Sequence, residues 1–139
     1  MALWDRVVRR IPLALGDTIP EVDARTLAAW LDAPPTRGEA RRVQLVDVRT
    51  ELEWRTSRIP GALHAPLPRL ERGLEALALD PAALVVCICL SAHRSIPAVR
   101  VLKSAGFAEA RQLAGGMLAW WAAGLPTESG EAETAGGAR

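Results

Sequence analysis

Apolar positions along the chain follow two alternating rhythms. Val43–Val48 and Leu84–Ile88 are short runs with β-branched residues and predict buried strands. The second is apolar at consecutive positions, as expected of a central parallel strand covered on both faces. Helical spacing appears elsewhere. Asp23 can cap a helix carrying Leu27, Ala28, Trp30 and Leu31, which Pro34-Pro35 and Gly38 end in a loop. Leu67, Leu70, Leu74 and Leu77 predict a helix over 67–79. Ile96, Val99 and Leu102 predict one over Ser95–Ser104, stopped at Gly106. Glu51–Thr56 suits a turn or two of helix, and Ile59-Pro60-Gly61 a tight turn leading into a brief extended piece, 62–65. Ala110–Leu113 predicts a last strand and 117–123 a last helix, closed by Gly124 and Pro126.

Strands alternating with helices predict an α/β fold, with a central, mainly parallel sheet of about five strands flanked by helices. Three regions follow. Residues 1–18 form an N-terminal extension, in which Leu3, Trp4, Val7, Val8 and Ile11 share one face of an amphipathic helix, expected to dock on the body. Residues 19–126 form the domain, and 127–139, rich in Gly, Ala and Glu without periodicity, a flexible tail.

Composition narrows the class. The chain has 139 residues, half of them hydrophobic and 24% charged, which fits one globular domain and excludes a disordered chain. Lys and Arg number 17 against 16 Asp and Glu, too even for nucleic-acid binding by bulk charge. No apolar run is long enough for a membrane span, and Pro12 interrupts the only stretch resembling a signal peptide. Cys87 and Cys89, the only cysteines, make no disulfide framework, so a cytoplasmic location is expected. With His64 and His93 they also make a poor ligand set, and neither metal nor cofactor is expected.

In parallel sheets, ligands bind beyond the carboxyl ends of the strands. That edge carries Cys89-Leu90-Ser91-Ala92-His93-Arg94-Ser95, a short loop between the central strand and the next helix. Loop N–H groups, the helix start and Arg94 all favour a thiolate, so a lowered pKa is expected for Cys89, against the bland reading of a buried core cysteine. Cys87, two residues earlier, is expected to pack in the core. Asp47 and Arg49 end the neighbouring strand and are expected to form an ion pair or brace the loop. His93 could donate to a bound anion or face solvent. Trp120 and Trp121 cannot both face inward on one helix, so one of them could border a partner.

At these residues the chain resembles the rhodanese-like domain, the single-domain thiosulfate sulfurtransferase family. Leu45-Val46-Asp47-Val48-Arg49, Glu53 and Ile59-Pro60-Gly61-Ala62 are similar to its first motif. Gly106-Phe107, then Leu113-Ala114-Gly115-Gly116-Met117 through Trp120 to Gly124-Leu125-Pro126, are similar to its closing motif. The resemblance implies a sulfurtransferase in which Cys89 takes a sulfane sulfur from a small donor, thiosulfate or a persulfide. Leu90, Ser91, Ala92, His93, Arg94 and Ser95 would hold it, and a thiol or protein acceptor, or cyanide in the test tube, would then receive it.

Three places depart from the family pattern. Leu90 stands where a basic residue is common, Ala92 where glycine is usual, and Ser57-Arg58 where Gly-His often precedes the turn. Two other functions remain open. One is a catalytically weak rhodanese-like module kept for protein binding or sulfur sensing. The other is a Cys-loop phosphatase or arsenate reductase, disfavoured because four residues rather than five separate Cys89 from Arg94 and because Ile88, not histidine, precedes the cysteine.

Overall fold

The computed structural model describes residues 19–33 and 43–131. The expected N-terminal helix, the loop carrying Pro34-Pro35 and Gly38, and the chain from 132 onward lie outside them.

The elements are β1 (Glu21–Val22), α1 (Ala24–Asp32), β2 (Gln44–Asp47), α2 (Glu51–Thr56), β3 (Leu63–His64), a 3-10 turn (Leu67–Arg69) leading into α3 (Leu70–Leu77), β4 (Val85–Ile88), α4 (Ser95–Ser104), β5 (Ala110–Leu113) and α5 (Gly116–Ala122). The five strands form one sheet in the order β1-β5-β4-β2-β3, with every pairing parallel. This is the α/β architecture expected from the sequence. β4 lies at its centre, between β5 and β2.

The alternation of side chains along β4 explains its unbroken apolar run. Val85 and Cys87 face one core with Val46, Leu70, Val99 and Leu102, under α3 and α4. Val86 and Ile88 face the other with Leu45, Leu27, Met117 and Trp120, under α1 and α5. Fully burying a side chain of this size contributes roughly 1.5–3 kcal/mol, so the strand is fixed from both sides.

Local chemistry sets the helix starts. The Asp23 carboxylate accepts from the Thr26 N–H at 2.8 Å. Thr50 and Glu53 form a capping box at α2: Thr50 Oγ1 accepts from the Glu53 N–H at 3.3 Å, and Glu53 Oε1 from the Thr50 N–H at 3.2 Å. On α1, Leu27 turns inward, whereas Trp30 and Leu31 lie on its outer side.

Two features depart from the expected organisation. β1 is a strand only through its pairing with β5, and two residues carry no period to read. The chain after Pro126 is fastened at its start rather than loose. Arg58 and Glu128 exchange backbone hydrogen bonds at 2.9 Å, and the Arg58 guanidinium bonds Glu128 Oε1 at 3.1 Å and the Gly130 carbonyl at 2.8 Å. Arg58 is buried and lies 3.8 Å from the centre of the Trp54 ring. An arginine thus replaces the common histidine by finding its partners in the C-terminal segment. Among the described residues no helix is long and apolar enough to cross a membrane.

Candidate active site

Cys89 lies one residue beyond β4 and is 1% exposed. Its carbonyl and that of Leu90 are held from α5: the Met117 N–H donates to the Cys89 oxygen at 2.8 Å and the Leu118 N–H to the Leu90 oxygen at 3.0 Å. Gly116 makes this approach possible, since a Cβ there would collide with both carbonyl oxygens. Among the described residues, the N–H groups of Leu90 through Arg94 donate to no backbone acceptor. The loop thus spends its first two carbonyls on α5 and keeps its donors unspent.

Behind the sulfur lies a chain of polar side chains. Cys89 Sγ is 3.5 Å from Ser95 Oγ, whose hydroxyl donates to Gln112 Oε1 at 2.7 Å; Gln112 Nε2 donates to Glu21 Oε2 at 3.3 Å. Ser95 and Gln112 are buried. Cys87 is enclosed in the core, and desolvation, with the nearby Cys89 adding to it, pushes its thiol well above the usual range.

Charge around the loop is matched pair by pair. Arg94 bonds Glu53 through Nη1–Oε1 at 2.7 Å and Nη2–Oε2 at 2.9 Å. This Arg94 pairing is the main reason the Glu53 carboxyl falls to about 2, and it raises Arg94 in turn. Arg49 and Asp47 form a buried pair at 2.8 Å, and Arg49 Nη2 also donates to the Ser57 carbonyl at 2.6 Å. His64 Nε2 donates to the Arg49 carbonyl at 2.8 Å, and its ring stacks on Trp54. Beside Arg94 a cleft of about 850 Å³ opens between the chain after β2, the segment His64–Arg69 and α3. Arg94 forms part of its wall; Cys89 does not.

The remaining loop side chains divide by environment. Leu90 is half-buried against the core under α1 and α5, whereas Ser91 and His93 are exposed. Ala92 adopts φ +69°, the left-handed conformation for which glycine is usual, at a cost of roughly 1–2 kcal/mol. Trp120 is buried, and Trp121 lies at the surface with its Nε1 donating to Ser57 Oγ at 2.9 Å. The pattern alone gave no role to Gln112 or Glu21. Nor did it show that Glu53 would meet Arg94.

Residues 24–123 match the rhodanese-like domain family. The chain is 36% identical over 128 residues to an HTH-type transcriptional regulator of Mycobacterium tuberculosis, covering 91% of this chain and 54% of that protein. It is 32% identical over 108 residues to a sulfurtransferase of Allochromatium vinosum, covering 78% of this chain and 94% of that one. Among solved structures it is similar to a thiosulfate sulfurtransferase from Pseudomonas aeruginosa, with a TM-score of 0.70 and 30% identity, over 87% of this chain and 21% of the other. The chain spans about half the length of the first of these relatives. With its motifs, its sheet and its matched span in agreement, the chain belongs to the rhodanese-like domain family.

Proposed function

We propose that the protein is a sulfurtransferase that carries sulfur as a persulfide on Cys89. The reading rests on one observation above others: the cysteine lies at the carboxyl end of the central strand, under a loop whose N–H groups have no backbone acceptor among the described residues. Asp47 and Arg49 brace the strand end beside it, and the residues from Leu90 to Ser95 form the cradle.

The Cys89 thiolate attacks the outer sulfur of a donor such as thiosulfate. A new S–S bond forms, the donor's S–S bond breaks, and sulfite leaves with the electron pair. The loop donors stabilise the charge on the outer sulfur of the persulfide, as an oxyanion hole does for oxygen. An acceptor thiolate then attacks that sulfur, and Cys89 leaves as a thiolate. No proton has to move in either transfer once Cys89 is ionised.

A second reading has support from Leu90 and Ala92: a sulfur-sensing module with slow turnover, whose loop lacks the second cation and carries backbone strain. Mass spectrometry after thiosulfate treatment tests the main reading. A one-sulfur adduct on Cys89, released by cyanide over repeated cycles, is expected. Cys89→Ser should abolish both adduct and turnover, whereas Cys87→Ala should keep most of both. An adduct that forms but never turns over would favour the sensing module; equal loss in the two variants would demand a dithiol mechanism.

A further inference from the structure

We propose that Gln112, anchored by Glu21, is a positioning residue that aims the Ser95 hydroxyl away from the Cys89 sulfur and so opposes ionisation of the thiol. The proposal rests on Cys89 being the nucleophile.

A carboxylate only accepts hydrogen bonds, so Glu21 fixes which end of the Gln112 amide faces it. Nε2 turns to Glu21, and Oε1 is left facing Ser95. A serine hydroxyl has one hydrogen. Given to Gln112 at 2.7 Å, it leaves Ser95 Oγ as an acceptor toward Cys89, 3.5 Å away. That arrangement suits S–H and offers nothing to S⁻. For Ser95 to donate to a thiolate, its hydroxyl must turn and leave a buried amide oxygen unpaired.

The other titratable or charged groups on β2, β4, the loop, α4 and β5 are Asp47 ending β2 and Arg49 just after it, Cys87 on β4, His93 and Arg94 in the loop, Arg100 and Lys103 on α4 and Arg111 on β5; Glu53 faces Arg94 from α2. None hydrogen-bonds the Gln112 side chain, so a substitution there leaves their pairings in place.

The test is the pH profile of iodoacetamide alkylation at Cys89, with Cys87→Ala as background. Gln112→Met keeps the length of the side chain and removes the competing oxygen. Its midpoint should move to lower pH by roughly one unit, the size of one hydrogen bond gained by the charged form. Glu21→Gln, at the exposed end, should produce a smaller shift of the same sign because it lets the amide turn over. In a Ser95→Ala background Gln112→Met should shift nothing. An unmoved or raised midpoint in Gln112→Met, or a shift that survives Ser95→Ala, overturns the proposal. Because alkylation needs no sulfur donor, failure of sulfur transfer would overturn the proposed function and leave this result standing.

Discussion

Arg94 and Glu53 meet through two parallel hydrogen bonds, at 2.7 and 2.9 Å, and the same Glu53 carboxylate caps the start of α2. The arginine closest in sequence to the loop's end is therefore matched by a carboxylate before any donor arrives. The paired carboxylate lowers the pull that Arg94 exerts on an anion and holds its guanidinium in a fixed direction.

Glu53→Gln should lower the KM for thiosulfate by about fivefold, since it removes one screened negative charge beside Arg94. Arg94→Ala should cost about 2–4 kcal/mol of transition-state stabilisation. Adding Glu53→Gln to it should recover part of that loss by relieving an unpaired carboxylate. The pair also carries a pH signature. Glu53 falls from 4.5 to about 2 on folding, so its stabilisation is complete above pH 4.5 and fades as pH drops toward 2. Acid unfolding of Glu53→Gln should lack that component. A KM unchanged by Glu53→Gln would show that the Arg94 charge does not reach the donor.

Leu90 offers an independent route to the same electrostatics. Thiosulfate is a dianion, and both arginines beside the loop are already paired. Leu90→Arg should lower KM for thiosulfate at low ionic strength with little change in kcat, by roughly 1 kcal/mol of added attraction. The gain should shrink as salt is added. No gain at low salt would place the limit on donor binding elsewhere. If transfer from a persulfide-bearing protein falls in the same variant, the apolar side chain serves that donor instead.

Gly116 couples the closing motif to the nucleophile. Gly116→Ala should lower stability by more than 1 kcal/mol, because its φ is +58° and its Cβ would press on the carbonyls of Cys89 and Leu90. Transfer should fall at least tenfold in the folded fraction as the loop is pushed off α5. Gly61→Ala is the contrast: its φ is +83° but nothing lies within 4 Å, so stability should drop with kcat intact. Thermal unfolding beside steady-state assays separates the two. Equal kcat in both glycine variants would mean that contact with α5 does not shape the loop.

Much of this was legible in the chain because the signals are local. The spacing of Ile96, Val99 and Leu102 bounded α4, and β4 announced itself by having no polar face. The Asp47–Arg49 pairing could be anticipated from two opposite charges at one strand end. What stayed hidden depends on register between distant segments. Gln112 reaches Ser95 only because β5 lies beside β4, with Gln112 level with Cys87. Glu21 faces Gln112 because β1 pairs there as a parallel edge strand. No periodicity within either segment encodes those meetings. The αL backbone at Ala92 was the converse case: a departure visible in the sequence, whose φ of +69° the loop adopts nonetheless.

The placement of β4 between β5 and β2 has a kinetic consequence. The groups that anchor the Cys89 loop come from other parts of the chain: Met117 and Leu118 hold its carbonyls, Glu53 its arginine, Gln112 its serine. Among the described residues every pairing within the sheet is parallel and joins segments far apart in sequence, so no hairpin of the sheet preforms the loop. Fragments ending before α5 would lack the two donors that curl the loop. On refolding, reactivity at Cys89 should therefore return with the final docking of α5 and lag behind the recovery of helical signal, making the thiol a built-in clock for the last step of assembly.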